Sequence, residues 1–471
     1  MTETNTKLTG KQLLIRGLVM IMLSGLAGFL AHFAGLNTGK MILATSIFVL
    51  IISATLMFWN FRLAIAFIGI AVLLGGKVMS LEQMIESAEL DIILFLIGMM
   101  CLVGVLKDLG LFSWIIQMVV SMKKINGLRF TIILVFISAI MACFVDEVTS
   151  IVFVLALVFQ VCDTLKIRPT PFVIIAVMAT NIGSSGTMLG NPVGILIGTK
   201  AGFSFKDFII WATPVMLLTV TVTLFILLFI YRKEIHLLTE RLEARRQAHL
   251  GLGPLVKIPY GRGLAILIGA LSLIAMHYKI EAWLGVEKNT ILIVAPLTIS
   301  GILMIWRNER ARHYIESEVE WWTLLFFMML FSVAGSLEYT GVTAQIAHDF
   351  RGLFGNNPTL LTPFITFISA IGSAFVDNIV FVAAFVPIVK ELGYTQLWWA
   401  LLFGATLGGN ITAIGSTANI VALGMLEKRY HSHISFWEWL KVGLIVGLVT
   451  CTLACIAVLI LAPYMPAHMG H

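Results

Sequence analysis

The stretch FISAIMACFVDE at Phe136–Glu147 occurs again as FISAIGSAFVDN at Phe367–Asn378. The two stretches lie 231 positions apart and share eight of their twelve residues. Three further pairs of similar segments follow the same order along the chain. They are LKDLG (Leu106–Gly110) with LEYTG (Leu337–Gly341), SFKDF (Ser204–Phe208) with SFWEW (Ser435–Trp439), and, at a spacing of 225, NIGSSGTMLGNPVGI (Asn181–Ile195) with TLGGNITAIGSTANI (Thr406–Ile420). Four matches in one order indicate an internal duplication.

The sequence around these stretches is strongly apolar. Of the 471 residues, 12% are charged and 59% are hydrophobic, and the mean hydropathy is +0.98. A typical soluble domain carries about 25% charged residues, and a soluble fold of this length cannot bury so much apolar surface. The basic residues behind the net charge of +6 lie between apolar runs, which argues against nucleic-acid binding. We predict an all-α polytopic membrane protein and no enzyme, and the absence of a Walker motif argues against ATP hydrolysis.

The apolar runs can be counted as membrane spans, each of which needs about 20 apolar residues. Eleven transmembrane helices are predicted near residues 12–35, 41–59, 61–76, 90–107, 171–200, 208–231, 263–278, 290–306, 322–338, 398–426 and 437–463. Tryptophans at span starts predict an interfacial aromatic belt: Trp321, Trp322, Trp398, Trp399, Trp437 and Trp439. Two more apolar stretches, 127–162 and 361–391, are interrupted by polar residues, and we name them the first and second hairpin. Each is predicted to be re-entrant, and the alternative is a pair of full spans.

Lysine and arginine mark the cytoplasmic side of a membrane protein. With both hairpins re-entrant, 23 of the 31 basic residues fall inside. The eight outside are Lys40, Lys77, Lys200, Lys206, Lys279, Lys288, Arg351 and Lys390. This distribution predicts a multi-pass protein of the inner (plasma) membrane, with a cytoplasmic N-terminus and the C-terminus outside.

The second copy is predicted to be inverted relative to the first. Between the equivalent residues Glu89 and Glu320 lie five predicted crossings, and an odd number reverses the orientation. Inverted repeats with a binding site at their interface recur in secondary transporters. The predicted organisation is N-terminal scaffold helices in 1–89, a first inverted repeat in 90–231, a cytoplasmic linker and scaffold helices in 232–320, and a second inverted repeat in 321–463.

Acidic residues stand at the tips of both hairpins. Asp146 and Glu147 interrupt the first, and Asp377 and Asn378 interrupt the second. A charged side chain at membrane depth costs about 2.5–3.5 kcal/mol and therefore usually faces a cavity. The alternative is a tip that reaches water, where acids need no explanation. Adjacent carboxylates repel each other, which favours cation binding or proton coupling.

Two runs of small polar residues predict broken helices. NIGSSGTMLGNP, from Asn181, lies within 171–200, and GGNITAIGSTAN, from Gly408, lies within 398–426. Broken helices at membrane depth are tolerated where they line a cavity or are buried in protein. Their free carbonyls can coordinate Na⁺, and their half-helix N-termini can meet an anion. The alternative, close packing of small residues, explains the glycines but not the Asn and Thr beside them.

These elements supply the candidate substrate- and ion-binding residues. They are Asp146, Glu147, Thr149, Asn181, Ser184, Ser185, Thr187, Asn191, Asp377, Asn378, Asn410, Thr412, Ser416, Thr417 and Asn419. Possible Na⁺ sites are the set Asp146, Thr187 and Asn191 and the set Asp377, Ser416 and Asn419. We expect no catalytic residue and no cofactor other than Na⁺ or H⁺ as coupling ions.

Over roughly residues 40–463 the chain resembles the ion transporter superfamily, in its arsenite-permease and sodium/proton-antiporter branch. FVDNIVFVAAFVPIV (Phe375–Val389), ATNIGSSGTMLGNPVGILIG (Ala179–Gly198) and GGNITAIGSTANIV (Gly408–Val421) are similar to segments of its P-protein group. The related divalent anion–sodium symporters share eleven spans, two re-entrant hairpins and two broken helices, but typically carry Ser-Asn-Thr at each tip. Here the tips read Asp146-Glu147-Val148-Thr149 and Asp377-Asn378-Ile379-Val380, and the extra acids would repel a dicarboxylate.

The resemblance implies a homodimer whose transport domain moves as an elevator. We therefore expect a secondary active transporter in the lipid bilayer, with Na⁺/H⁺ exchange or Na⁺- or H⁺-coupled movement of a small ion. The alternatives are efflux of arsenite or another small oxyanion, and Na⁺-coupled carboxylate symport. Outside the transporter class, a passive ion channel or a membrane scaffold would also fit inverted halves.

Overall fold

The computed structural model describes residues 10–33, 35–36, 38–122, 124–248, 251–252 and 258–466. The predictions for the two chain termini fall outside these ranges. Within them, all regular secondary structure is helical. Nine of the described helices are long and apolar enough to cross a membrane, or up to eleven if each of two bent pairs is one span. The predicted all-α polytopic class is confirmed.

Each predicted span has a helix or a pair of helices near its bounds, but the helices long enough to cross a membrane are a different set. Gly127–Phe144, Glu147–Leu165 and Pro358–Phe375, which are arms of the two predicted hairpins, belong to this set, so the choice between re-entrant hairpins and paired full spans stays open. The nine candidate spans are Gly10–Phe33, Gly39–Met57, Leu90–Asp108, Gly127–Phe144, Glu147–Leu165, Phe205–Ile230, Trp321–Tyr339, Pro358–Phe375 and Phe436–Tyr464. The bent pairs are Gly261–Ala275 with His277–Leu284, at 56°, and Thr290–Trp306 with Asn308–Glu318, at 107°. Other helices are Arg62–Gly75, Leu81–Ser87, Leu111–Val120, Thr170–Ser184, Pro192–Ala201, Arg232–Gln247, Val342–Phe354, Asn378–Leu392, Thr395–Gly408 and Thr417–Tyr430.

The duplication is also present in the helix boundaries. Helices that begin at Leu90, Gly127 and Glu147 have counterparts 231 positions later, at Trp321, Pro358 and Asn378. The two halves of each broken helix, which begin at Thr170 and Pro192, match Thr395 and Thr417 at a spacing of 225. The six-residue change in spacing arises at the end of the second hairpin arm: Glu147–Leu165 has 19 residues and Asn378–Leu392 has 15, and the loop that follows is 166–169 in the first copy and 393–394 in the second.

The described residues form two compact units. Unit 1 contains residues 10–90, 321–356 and 383–392. Within it, the Arg62 guanidinium lies 3.7 Å from the ring centre of Trp59 and 4.5 Å from that of Phe326. The Ser332 hydroxyl donates a 3.0 Å hydrogen bond to the Met84 carbonyl. These contacts hold Trp321–Tyr339 against the N-terminal helices of unit 1.

Unit 2 contains residues 91–320, 357–382 and 393–466, and therefore both hairpin tips and both broken helices. At its core, the helices Thr170–Ser184 and Thr395–Gly408 are buried along almost their whole length. Each packs against the first arm of the hairpin in its own copy. A Cβ atom on Gly183 would lie 2.3 Å from the Ala139 backbone, and one on Gly408 would lie 2.4 Å from the Ala370 backbone. Only glycine permits this approach, which brings each tip beside a helix break.

Both predicted breaks are present, and polar side chains cap the helices that follow them. In the first copy, Asn191 Oδ1 accepts a 2.8 Å hydrogen bond from the Gly194 amide, and Pro192 occupies the first helical position. Proline suits this position because its missing N–H has no intrahelical partner there. In the second copy, Ser416 Oγ accepts a 3.2 Å hydrogen bond from the Ala418 amide. The capped helix starts therefore occur at equivalent positions in the two copies.

Candidate functional site

The two tip aspartates cap the second arms of their hairpins. Asp146 Oδ1 accepts hydrogen bonds from the amides of Val148 and Thr149, both at 2.8 Å. Asp377 Oδ1 accepts one from the Ile379 amide at 3.2 Å. Such caps satisfy helix-terminal N–H groups that would otherwise lack partners. Both aspartates thus have a structural function in addition to the ion binding predicted for them.

Glu147 lies between the two broken helices. Its side chain is buried, at 6% exposure. Ser184 Oγ, from the first copy, lies 3.1 Å from Oε2, and Ser416 Oγ, from the second copy, lies 3.4 Å from Oε1. Each hydroxyl has a nearer acceptor on Asn181, the carbonyl at 2.9 Å for Ser184 and Oδ1 at 3.1 Å for Ser416, and its single proton serves one acceptor at a time. The carboxylate therefore joins the two copies through the residues at their helix breaks.

A second buried carboxylate, that of Asp377, lies at the helix break of the second copy. Asp377 is 8% exposed, and the Thr417 hydroxyl donates to its Oδ2 at 2.8 Å. Thr417 follows Ser416, so consecutive hydroxyl residues contact the two acids. In the described part of the chain, no lysine or arginine forms an ion pair with either acid. A buried carboxylate without a basic partner is costly unless a proton or a cation neutralises it.

Asn181 is the centre of a buried amide cluster beside Glu147. Its Nδ2 donates to the side-chain oxygens of Asn410 and Asn419, both at 2.8 Å. Its Oδ1 lies 3.1 Å from Ser416 Oγ and competes with Glu147 Oε1 for the proton of that hydroxyl. Asn419 in turn donates to the carbonyls of Gly409, at 2.8 Å, and Thr412, at 2.9 Å. The cluster fixes the broken helix of one copy against that of the other.

The break threonines attach each broken helix to a hairpin tip. Thr187 donates to the Cys143 carbonyl, and its counterpart Thr412 donates to the Ala374 carbonyl. Ser185 donates to the Ile182 carbonyl at 2.7 Å. These three hydroxyl protons are therefore used within the protein. The residues position the site, and only their remaining lone pairs are available to an ion.

Within the residues that the structure describes, no side-chain hydrogen bond joins two members of either predicted Na⁺ set. In the first set, Asn191 donates to Ser184 at 2.8 Å, while Asp146 and Thr187 bond elsewhere. In the second set, Ser416 and Asn419 both contact Asn181, while Asp377 contacts Thr417. Among the described residues, no group of three or more His, Cys, Asp or Glu side chains could hold a metal ion. Both Na⁺ sites stay predictions based on hydroxyl and amide oxygens.

Two residues that support the site were not predicted as part of it. Trp439 was assigned to an interfacial belt, but it is fully buried, and its Nε1 donates to the Asn410 carbonyl at 3.0 Å. Ser373 donates to the Ala405 carbonyl at 2.6 Å and contacts the Asn378 amide. Asn378 can also donate to the Gly415 carbonyl at 2.7 Å. The first-copy counterpart of Ser373 is an alanine, so the comparison of the copies gave no signal for it.

The amide cluster predicts a large effect of Asn181→Ala on stability. We expect the free energy of unfolding to fall by about 3 kcal/mol, because several buried polar groups lose a partner together. Unfolding of the purified protein in detergent would measure it. The control is Thr452→Ala, which removes an exposed hydroxyl bonded within its own helix and should change stability by less than about 0.5 kcal/mol. Equal stability of the two variants would contradict the role of the cluster.

A polytopic helical chain with buried acids between two broken helices has the architecture of a membrane transporter. The family described as CitMHS, citrate transporter, matches residues 48–404. The chain belongs to this family, and its membership of the ion transporter superfamily is confirmed. It is a multi-pass membrane transporter.

Individual relatives support this placement. An uncharacterized transporter of Mycobacterium tuberculosis is 34% identical over 378 residues, which cover 78% of this chain and 85% of the relative. An uncharacterized transporter of Synechocystis is 26% identical, and the match covers 83% of this chain and 91% of the relative. The P protein of Homo sapiens is 26% identical over 79% of this chain, which spans 54% of that protein. Its match agrees with the predicted P-protein resemblance.

A solved structure shares the fold. The crystal structure of the YdaH transporter of Alcanivorax borkumensis matches with a TM-score of 0.51. The match covers 80% of this chain and 86% of that chain, at 17% sequence identity. The similarity therefore concerns the fold, and it agrees with the predicted transporter architecture.

Proposed function

We propose that this chain is a secondary active transporter of the cation/proton antiport type, coupled to Na⁺ or H⁺. The observation that carries the proposal is the environment of Glu147. This acid is buried, lies within hydrogen-bond distance of Ser184 and Ser416, and has no basic partner among the described residues. The proposed role of Glu147 is to exchange a proton for a cation.

The physical basis of the exchange is charge neutrality in an apolar surrounding. A bare carboxylate in the protein interior is strongly unfavourable, whereas a protonated or cation-bound carboxylate is tolerated. Serine hydroxyls, a carboxylate and helix-break carbonyls are oxygen ligands of the kind that coordinate Na⁺ in broken-helix transporters. Movement of the loaded site in either form avoids burying a net charge. This reasoning supports exchange, while the elevator movement and the homodimer remain predictions from the resemblance.

Carboxylate transport is the second candidate, because the family is described as a citrate transporter family. The starts of Pro192–Ala201 and Thr417–Tyr430 offer positive helix ends to an anion. Glu147 and Asp377 would repel that anion unless protons or cations bind with it. Under this alternative the same acids would couple the carboxylate to a cation. Arsenite or oxyanion efflux would use the acids for proton coupling in the same way.

Flux into vesicles distinguishes these functions. The purified chain would be reconstituted with a pH-sensitive dye, and Na⁺ or Li⁺ gradients would be compared with citrate and arsenite gradients. We expect saturable, cation-driven proton flux that runs uphill. Citrate-dependent or arsenite-dependent flux without cation/proton exchange would favour the alternatives, and passive, non-saturating currents would establish a channel.

The same vesicles test the tip acids. We expect Asp146→Asn and Asp377→Asn each to reduce cation-driven proton flux at least about tenfold, since removing a charge-neutralising interaction of about 1.4 kcal/mol changes affinity tenfold. Asparagine caps a helix about as well as aspartate, so the fold should be kept. Asp349→Asn, an exposed acid in unit 1, is the matched control. Wild-type flux in both tip variants would remove these acids from the proposed site.

A further inference from the structure

Unit 1 contains an open pocket that has no part in the transport site. Its volume is about 840 Å³, within the range of small-ligand sites. Its walls come from the start of Gly39–Met57, the end of Arg62–Gly75, the following turn, and the end of Trp321–Tyr339. Two of these helices are candidate membrane spans, so the pocket lies where spans end. Such a position is level with the polar headgroups of a bilayer.

The pocket carries a net positive charge. Lys40 and Lys77 line it, and no acidic residue is part of the lining. Both lysines are exposed, and neither forms an ion pair in the described ranges. Two nearby acids have other partners, since Tyr339 donates to Glu86 at 2.8 Å and Lys390 pairs with Glu338 at 3.4 Å. Glu82 is exposed and lies between the lining residues Leu81 and Gln83 without being part of the lining. Two cations are thus available to an anion at this point.

Two hydroxyl groups in the same wall can donate to that anion. Thr38 Oγ1 accepts a 3.3 Å hydrogen bond from the Met41 amide, and Ser80 Oγ accepts a 3.2 Å one from the Gln83 amide. Because both oxygens act as acceptors, each keeps its own proton for another acceptor. Two ammonium groups and two hydroxyl groups together suit the several oxygens of a phosphate group.

Lys77 occupies a left-handed backbone position at the end of a helix. Helix Arg62–Gly75 ends in a Schellman turn, with the Val78 amide bonded to the Leu73 carbonyl at 2.9 Å. The Lys77 amide bonds to the Leu74 carbonyl at 3.1 Å, and Lys77 has a φ of +54°. Glycine is the usual residue at this left-handed position. Lysine is not excluded there, since Lys166 occupies the equivalent position after Glu147–Leu165, but glycine at residue 77 should retain the turn.

We propose that this pocket binds a phosphate group through Lys40 and Lys77, with Thr38 and Ser80 as hydroxyl donors. The phosphate belongs either to an anionic phospholipid headgroup or to a free phosphate ion. An apolar residue of the wall, Leu81, is 62% exposed and could contact a lipid chain beside the headgroup.

Binding to the purified full-length chain tests this site. Native mass spectrometry would follow binding of phosphatidylglycerol, and calorimetry would follow binding of inorganic phosphate. The variants are Lys77→Gly, which retains the turn, Lys40→Gln, and both together, with the exposed Lys279→Gln as control. Each single substitution should weaken binding about fivefold, as expected for the loss of one cation near a phosphate. The double variant loses both cations and should bind about 25-fold more weakly.

The two binding measurements distinguish the two sources of the phosphate. Binding of phosphatidylglycerol that the double variant loses, without phosphate binding, identifies a lipid headgroup. Binding of inorganic phosphate that the double variant loses identifies the free ion. If the double variant binds both ligands as the wild type does, or if neither ligand binds the wild type, the proposal is overturned. Because Lys77→Gly favours the observed backbone, a folding defect cannot imitate the loss.

Discussion

Glutamine in place of Glu147 is expected to abolish cation-driven proton flux, with a reduction of at least about 100-fold. Glutamine has nearly the same shape and can still bond Ser184 and Ser416, but it can neither release a proton nor neutralise a cation. A loss of about 2.7 kcal/mol of differential binding corresponds to this factor. Proton release on addition of Na⁺ to the detergent-purified protein provides a second measurement, and Glu147→Gln should release none.

Two controls make the Glu147 experiment specific. Glu309→Gln removes an exposed acid of unit 2 and should leave flux unchanged. The exchange Glu147→Asn with Asn378→Glu moves the carboxylate to the equivalent tip position of the other copy. Partial recovery of flux in the exchanged protein would show that a carboxylate at either tip can couple. Wild-type flux and proton release in Glu147→Gln would refute the proposed role of this residue.

Alanine in place of Gly183 is expected to lower the free energy of unfolding by about 3 kcal/mol or more. The added Cβ would lie 2.3 Å from the Ala139 backbone, and the two helices must separate to admit it. The same result is expected for Gly408→Ala, which meets the Ala370 backbone. Since these contacts place each tip beside its break, flux should fall together with stability. The melting temperature and the monodisperse yield in detergent would report the change.

The matched control for these glycines is Gly301→Ala in Thr290–Trp306. A Cβ atom at Gly301 has no neighbour within 4 Å, and alanine is favoured over glycine inside a helix by roughly 0.5–1 kcal/mol. Gly301→Ala should therefore be neutral or slightly stabilising. If Gly183→Ala and Gly301→Ala were equally stable, the close packing of the hairpin and the broken helix would be wrong.

Local signals were sufficient for the predicted class and the breaks, but they did not identify the hairpin arms that are long enough to cross a membrane. Long apolar runs and the glycines around Asn181 and Asn410 are visible within short windows, and the repeated FISAI segment is visible when the two copies are compared. The bends after Ala275 and Trp306 were missed, because apolar composition does not distinguish a straight helix from a bent one. Proline does not mark either bend.

The partners within the site could not be predicted in the same way. Ser416 reaches Glu147 across 269 positions, and Asn181 reaches Asn419 across 238. Such contacts depend on how the two copies pack, which a composition pattern does not encode. Trp439 illustrates the same limit, because a tryptophan at the start of an apolar run fits an interface by composition, yet packing buries it. Repeat comparison identified the chemical groups, and tertiary structure decided which of them meet.

The unequal arms of the two copies separate the parts of the fold that tolerate changes in length from those that do not. The second copy is shorter in its hairpin arm, with 15 residues against 19, but longer after its break, where Thr417–Tyr430 has 14 residues and Pro192–Ala201 has 10. The caps and threonine bonds at the tips keep equivalent positions despite these differences. The two copies therefore differ in length at the far ends of these helices and not at the tips. A fluorescent label or an affinity tag inserted at residues 166–169 would use a site where the chain has already accepted change.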